Sequence, residues 1–201
     1  MFTGIITKVS IVESAKERGG SFFVAIKKPK SWKIKLGDSI SINGVCSTVK
    51  NISKNSFEVE YMPETIKKTT AGTFAKGRVV NLEKSLTLNQ LLDGHIVQGH
   101  IDARGKIIEI QDVKKSKVMK IQAPKKVLAL IVEKGSVSVD GISLTVIETK
   151  KDWFSISLVE YTLNNTNLGV IEKGAEVNIE TDILAKYIYK ILKKQIHAKK
   201  N

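Results

Sequence analysis

Ser41-Ile42-Asn43-Gly44-Val45-Cys46-Ser47-Thr48-Val49 returns in the second half of the chain as Ser138-Val139-Asp140-Gly141-Ile142-Ser143-Leu144-Thr145-Val146, beginning 97 residues after Ser41. The register continues downstream. Thr65 meets Thr162, Thr69 meets Thr166, Gly77 meets Gly174, and Val80-Asn81-Leu82-Glu83 meets Val177-Asn178-Ile179-Glu180. So long a period is a whole small domain rather than a solenoid or propeller unit, and 201 residues hold two of them with a short remainder. The copies differ at chemically telling places: Cys46 faces Ser143, Asn43 faces Asp140, Glu64 faces Tyr161 and Ser85 faces Asp182. Two like pockets with unlike side chains suit two similar ligands in different roles.

The composition, 42% hydrophobic and 26% charged, is that of a soluble globular protein. A single cysteine, Cys46, excludes an internal disulfide framework and fits a reducing compartment. The opening residues show no basic region followed by an apolar stretch, and no apolar run reaches bilayer length, so no membrane association and a cytoplasmic location are expected. The net charge of +13 raises a nucleic-acid reading. It is carried by lysine, often in pairs such as Lys27-Lys28 and Lys125-Lys126, and the arginines are only Arg18, Arg78 and Arg104. Bidentate phosphate or base recognition favours arginine and stacking needs aromatics, which are 6% here, so the lysines read as a solvated surface.

Apolar and polar residues alternate in short runs, as in 22–26, 39–42, 56–59, 106–110 and 153–158, with turn residues at 18–20, 36–38, 53–55 and 150–152. The fold class is therefore all-β, each copy an antiparallel barrel closed to remove sheet edges. Met1 to Ile6 reads as a strand entering the fold. Pro63 to Lys67 predicts a single helical turn, and Pro124 to Ile131 a helix started by proline. Ile183, Leu184, Tyr187, Ile188, Ile191 and Leu192 predict an amphipathic helix over 183–196, capped by Thr181 or Asp182. This helix lies outside the repeat, and packing on its own barrel or joining subunits both remain open.

On the repeated strands Cys46 shares a face with Thr48, and Ser143 with Thr145. If that face lines the barrel core, these groups need partners, which a heteroaromatic ring or neighbouring backbone could supply. His95 and His100 stand at the seam between the copies, in Gly94-His95-Ile96-Val97-Gln98-Gly99-His100-Ile101. Gly99-His100-Ile101 matches Thr3-Gly4-Ile5 one residue out of register. The histidine spacing puts the two rings on opposite strand faces, which speaks against a metal site. A general acid or base at His100, or a structural role, both stand. Phosphate loops, Gly-x-Ser-x-Gly and His-Glu-x-x-His are missing, no arginine begins the Arg-x-Tyr-Ser/Thr of β-barrel flavin reductases, and an isolated Cys46 is ordinarily a small buried side chain.

The opening Met1 to Ile6, the two Gly-anchored strands, Gly94-His95 to Gly99-His100, Met62-Pro63-Glu64-Thr65 and Val177 to Asp182 together resemble the riboflavin synthase family of duplicated lumazine-binding barrels. The resemblance implies two six-stranded Greek-key barrels in tandem, over 1–97 and 98–182, with an oligomerisation helix and basic tail over 183–201. It implies a homotrimer whose active sites form between barrels of neighbouring subunits, with lumazine synthase as a candidate protein partner. The implied reaction is a dismutation of two 6,7-dimethyl-8-ribityllumazine molecules, giving riboflavin and 5-amino-6-(D-ribitylamino)uracil without cofactor or metal. A non-catalytic lumazine- or flavin-binding protein of the same fold is the alternative.

By position, the family's N-terminal pocket would use Gly4, Ile5 and Ile6, then Cys46, Ser47 and Thr48, then Glu60, Tyr61, Met62, Pro63, Glu64 and Thr65. The C-terminal pocket would use Gly99, His100 and Ile101, then Ser143, Leu144 and Thr145, then Ser157, Leu158, Val159, Glu160, Tyr161 and Thr162. Lys134 matches a lysine that reaches across the subunit interface. Phe2, Cys46, His100, Ser143, Thr145 and Asp182 match the positions tied to turnover. In this reading His100 with Ser143 or Thr145 handles the acidic C7-methyl proton of a lumazine or holds a hydroxide at C7 of the partner, and backbone N–H groups of the glycine-flanked strands stabilise ring-borne charge. One departure stands out. The family often has proline where this chain has Glu160, which predicts an altered loop, with Tyr161 taking over a contact.

Overall fold

The computed structural model describes residues 1–198; the Lys199-Lys200 part of the expected basic tail lies outside them. The described residues form twelve strands, with burial alternating in strands such as the fifth: β1 (Lys8–Arg18), β2 (Ser21–Lys27), β3 (Ser39–Ile42), β4 (Val45–Ile52), β5 (Ser56–Tyr61), β6 (Val79–Lys84), β7 (Ala103–Val113), β8 (Ser116–Gln122), β9 (Ser136–Val139), β10 (Ile142–Thr149), β11 (Trp153–Leu158) and β12 (Glu176–Thr181). They close two antiparallel barrels, in the orders β1-β2-β5-β4-β3-β6 and β7-β8-β11-β10-β9-β12. Closure pairs β1 with β6 and β7 with β12, so no edge is left to aggregate. Each barrel has its own apolar core, with Val24, Ile26, Ile40, Phe57 and Leu82 in one and Met119, Ile121, Val137, Phe154 and Ile179 in the other.

The duplication extends to irregularities. The β1–β2 ladder bulges after Val12 and the β7–β8 ladder after Ile107; β4–β5 bulges after Val49 and β10–β11 after Val146. Pairing Val12 with Ile26 and Ile107 with Ile121 sets the offset at 95 in the first two strands of each copy. The offset becomes 97 from β3 onward because the β8–β9 connection is two residues longer and carries α2 (Lys125–Leu128). Gly4 therefore corresponds to Gly99, at φ +79° and +80°, which corrects the expected match of Gly4 with His100.

The helices are α1 (Pro63–Lys68), α2, α3 (Glu160–Asn165) and α4 (Ile183–Ala198). The helix expected from Pro124 to Ile131 is shorter because its end tightens into i→i+3 bonds, Leu130 to Val127 and Ile131 to Leu128. Met1 to Ile6 is not a strand; an isolated bridge between Phe2 and Val97 ties it down. No helix among the described residues is long and apolar enough to cross a membrane.

The barrels meet at their β3–β4 and β9–β10 hairpin tips. Asn43-Gly44 and Asp140-Gly141 both adopt left-handed pairs, φ 46° then 80° and 46° then 81°, as a two-residue turn matched to strand twist requires. A Cβ on Gly44 would lie 2.7 Å from the Gly141 nitrogen, and the reverse distance is equal. A buried polar net seals the seam. Asn81 Nδ2 donates to the Asp140 carbonyl and to Asn167 Oδ1, Asn178 Nδ2 donates to the Asn43 carbonyl, and Asn167 Nδ2 donates to Asp140 Oδ2.

Candidate active site

Two buried glutamates set the frame. Glu83 accepts from Thr3 N at 2.7 Å and Gly4 N at 3.1 Å; Glu180 accepts from Gln98 N, Gly99 N and His100 N at 2.7, 2.9 and 3.1 Å. Burial pushes both carboxyls above the usual range, against the pull of these bonds. The anchored segments then cross between copies. Gly4 O accepts from Ser143 N at 2.8 Å, and Gly99 O accepts from Cys46 N at 2.9 Å. A Cβ on Gly4 would lie 2.6 Å from Ser143 Cβ, and one on Gly99 2.6 Å from Cys46 Cβ, so only glycine admits the crossing.

This crossing corrects the grouping by copy. Gly4 lies against Ser143 and Ile6 packs on the core of the second barrel, while Gly99 lies against Cys46 and Ile101 packs on the core of the first. It also corrects the expected use of backbone donors, since Cys46 N and Ser143 N are already bonded within the fold.

The residues facing inward are the neighbours of those expected. Val45, Ser47 and Val49 are buried in one barrel, and Ile142, Leu144 and Val146 in the other. Ser47 is satisfied there by the Tyr61 hydroxyl at 2.8 Å, and burial pushes the Tyr61 pKa up. Cys46 and Ser143 are half-buried, and Thr48 and Thr145 are exposed on the outer wall. The repeated polar pair therefore does not line the core. The core has no room for polar pairs without partners, so the pleat turns them outward.

A short helix follows the fifth strand of each barrel, α1 after β5 and α3 after β11. Met62 enters α1 at φ −75°, ψ 156°, and Val159 enters α3 at φ −74°, ψ 159°. The loop at 159–162 thus keeps its shape without proline, against expectation, because Glu160 adopts the first-turn geometry that Pro63 presets. Thr65 and Thr162 are half-buried, with their carbonyls accepting from Thr69 Oγ1 and Thr166 Oγ1. Met62, Pro63, Glu64, Val159, Glu160 and Tyr161 are exposed, as are Ser157 and Lys134, while Leu158 is buried and Glu60 pairs with Lys50 at 3.0 Å. Lys134 holds φ 63° at the position of Gly37 in the first copy.

Phe2 is fully buried at the Val97 bridge. Asp182 accepts from Leu184 N at 2.9 Å and so starts α4. His100 is exposed, and neither its ring nor Cys46 Sγ makes a hydrogen bond among the described residues. His95, which spacing did not single out as a site residue, is buried with Nδ1 2.7 Å from Ser143 Oγ. The only hint in the sequence is Gly94 before it: a Cβ there would lie 2.1 Å from Thr3 O. No cluster of three or more His, Cys, Asp or Glu able to hold a metal occurs among the described residues.

Two grooves are lined, Ile5 apart, by residues not expected at the site. One of about 490 Å³ lies along Thr3, Ile5, Trp32, Glu83 and Leu91, and one of about 340 Å³ lies at the seam by Arg78 and Asn167. No residue of 46–48 or 143–145 lines either groove.

The lumazine binding domain family matches residues 3–85 and again 98–182. The chain belongs to the lumazine-binding riboflavin synthase family. It is 41% identical to the riboflavin synthase of Actinobacillus pleuropneumoniae over 97% of its own length and 91% of that protein. Against the riboflavin synthase of Bacillus subtilis the figures are 38%, 96% and 91%. The fold also resembles a crystal structure of LumP complexed with riboflavin, at TM-score 0.84 and 26% identity over 90% of this chain and 99% of that one. LumP complexed with 6,7-dimethyl-8-(1'-D-ribityl) lumazine gives TM-score 0.82 at 25% identity, with the same shares covered.

Proposed function

We propose that this chain catalyses the dismutation of two 6,7-dimethyl-8-ribityllumazine molecules, one giving a four-carbon unit to the other, to yield riboflavin and 5-amino-6-(D-ribitylamino)uracil. The observation that carries this is nearly full-length identity with riboflavin synthases in a chain whose two copies both keep the outward polar strand. One lumazine is held by Cys46–Thr48, Glu60–Thr65 and Gly99–Ile101. The other is held by Ser143–Thr145, Ser157–Thr162 and Gly4–Ile6. Phe2, Cys46, His100, Ser143, Thr145 and Asp182 are the residues of turnover. Holding two substrates face to face makes a bimolecular step nearly unimolecular.

Each polar strand offers only one wall, so a second subunit completes the site. The apolar, exposed Leu184, Tyr187, Ile188, Ile191 and Leu192 of α4 suit the core of a homotrimer. Lys134, exposed at the end of the β8–β9 connection, reaches the neighbour's site. The setting is the cytoplasm, with lumazine synthase as the partner that supplies substrate.

Likeness to LumP favours a second reading, chromophore binding without turnover. Incubating the purified protein with 6,7-dimethyl-8-ribityllumazine alone separates them. Riboflavin formed at one per two lumazines consumed supports the enzyme, and binding without product supports the second reading. A monomeric sedimentation profile at micromolar protein would remove the intersubunit site.

A further inference from the structure

Glu83 on β6 and Glu180 on β12 stand at matching positions of the two copies and repeat one arrangement. In the second copy the carboxylate accepts from three successive backbone N–H groups, those of Gln98, Gly99 and His100. In the first copy Glu83 accepts from Thr3 N and Gly4 N directly. The third N–H, that of Ile5, donates to Thr3 Oγ1 at 3.1 Å, and this hydroxyl donates to Glu83 Oε1 at 2.7 Å. Successive N–H groups turned to one side form a concavity that suits an anion, and here a side chain of the fold fills it. Both glutamates are buried, so a lost acceptor would leave N–H groups unpaired away from water.

Neither clamped segment stays with the barrel that clamps it. Gly99 O, held from the second barrel, accepts from Cys46 N of the first; Gly4 O, held from the first, accepts from Ser143 N of the second. Loosening either carboxylate therefore frees backbone that packs on the opposite barrel.

We infer that Glu83 and Glu180 are positioning residues that act across the seam. Glu180 sets the lumazine pocket on the Cys46–Thr48 strand of the first barrel, and Glu83 sets the pocket on the Ser143–Thr145 strand of the second. This rests on the two pockets of the proposed function. In this role neither carboxylate touches ligand; each fixes the backbone of residues that do. Each barrel thus builds part of the other's pocket within a single chain.

The chain carries its own reporter. Cys46 is the single cysteine, half-buried and free, so its reaction with 5,5′-dithiobis(2-nitrobenzoate) reads the first pocket alone. Exchanging the two residues, by Cys46→Ser with Ser143→Cys, moves the thiol to the second pocket. Glu180→Gln and Glu83→Gln are made in both backgrounds, since glutamine keeps the size but turns an amide NH2 toward the N–H groups. With the thiol at position 46, Glu180→Gln speeds the reaction at least about 10-fold and weakens protection by riboflavin by a similar factor. Glu83→Gln changes either quantity by less than about 2-fold. With the thiol at position 143 the two variants trade places.

A general loss of stability would speed both thiols in both variants, and that result overturns the inference. So does a pattern in which each glutamate affects the thiol of its own barrel, or neither thiol. Circular dichroism reports folding, and Glu180→Asp and Glu83→Asp are held to the same criteria if the glutamine variants do not fold. A wild type that forms riboflavin beside an uncrossed pattern overturns this inference alone. A wild type that forms no riboflavin, and whose Cys46 neither lumazine nor riboflavin protects, overturns the proposed function and the pockets with it.

Discussion

Asn43-Gly44 and Asp140-Gly141 are the same hairpin tip written twice, and they differ by one atom type. Both glycines hold nearly equal positive φ and touch each other across the seam. Asn43 Oδ1 accepts from Asn81 N at 2.7 Å, and Asp140 Oδ1 accepts from Asn178 N at 2.8 Å. Beyond that the copies part. Asn43 Nδ2 is buried without a partner among the described residues, whereas Asp140 Oδ2 takes a second bond from Asn167 Nδ2 at 2.7 Å. Backbone geometry is thus held by the repeat, while side-chain chemistry is free to diverge wherever the partner net is not itself repeated. The same division separates Ser143, whose hydroxyl is bonded to His95, from Cys46, whose thiol makes no hydrogen bond among the described residues.

The shared part of this comparison should be the most fragile. Gly44→Ala and Gly141→Ala each force a Cβ to 2.7 Å of backbone nitrogen at a positive φ. Each should lose about 3 kcal/mol or more of unfolding free energy, and nearly the same amount. Urea denaturation of the two variants measures this. A loss in only one of them would show that the tips do not bear on each other symmetrically.

The divergent part should show in pH. Burial raises the Asp140 carboxyl from an ordinary 3.8 to about 6, against the pull of its hydrogen bonds and of Arg78. Between those values the folded chain keeps a proton that the unfolded chain has released. The stability owed to Asp140 is therefore full below the lower value and falls as pH rises through the window, by about 3 kcal/mol. Asp140→Asn should remove that slope, although it turns a donor toward Asn167. A wild-type-minus-variant difference that stays flat from about pH 4 to about pH 7 would mean that Asp140 titrates as it does in water.

A smaller effect sharpens the comparison of α1 with α3. Because Val159 already has the backbone that Met62 has before Pro63, Glu160→Pro should fit without strain. It should leave stability unchanged or raise it by up to about 1 kcal/mol, since the Glu160–Lys115 pair at 3.7 Å is exposed. A fall in Tm would show that the two helix entries are not equivalent.

Much of the fold could be read directly. Period-2 alternation marks β2, β5 and β11, and the repeat marks the β3–β4 and β9–β10 hairpins. The spacing of Ile183, Leu184, Tyr187 and Ile188 marks α4. Residues 1–6 misled because their apolar content imitates a strand, whereas two glutamates about 80 positions away hold the backbone there and at Gly99. The resemblance names candidate site residues but not how they group in space. Nothing local says that Gly4 belongs beside Ser143, or that His95 rather than His100 meets that hydroxyl.

By itself the sequence determined that one domain is present twice, that its strands alternate, that the turns use Asn-Gly and Asp-Gly, and which family the chain joins. These are short-range signals or direct repetition, and they survive in a linear text. Only the tertiary structure decided which strand face points outward, which copy each anchored segment crosses to, and which histidine is buried. Those outcomes depend on contacts between residues as far apart as Gly4 and Ser143. The close approach of two backbones, possible only at glycine, selects them, and no periodicity along the chain encodes that approach.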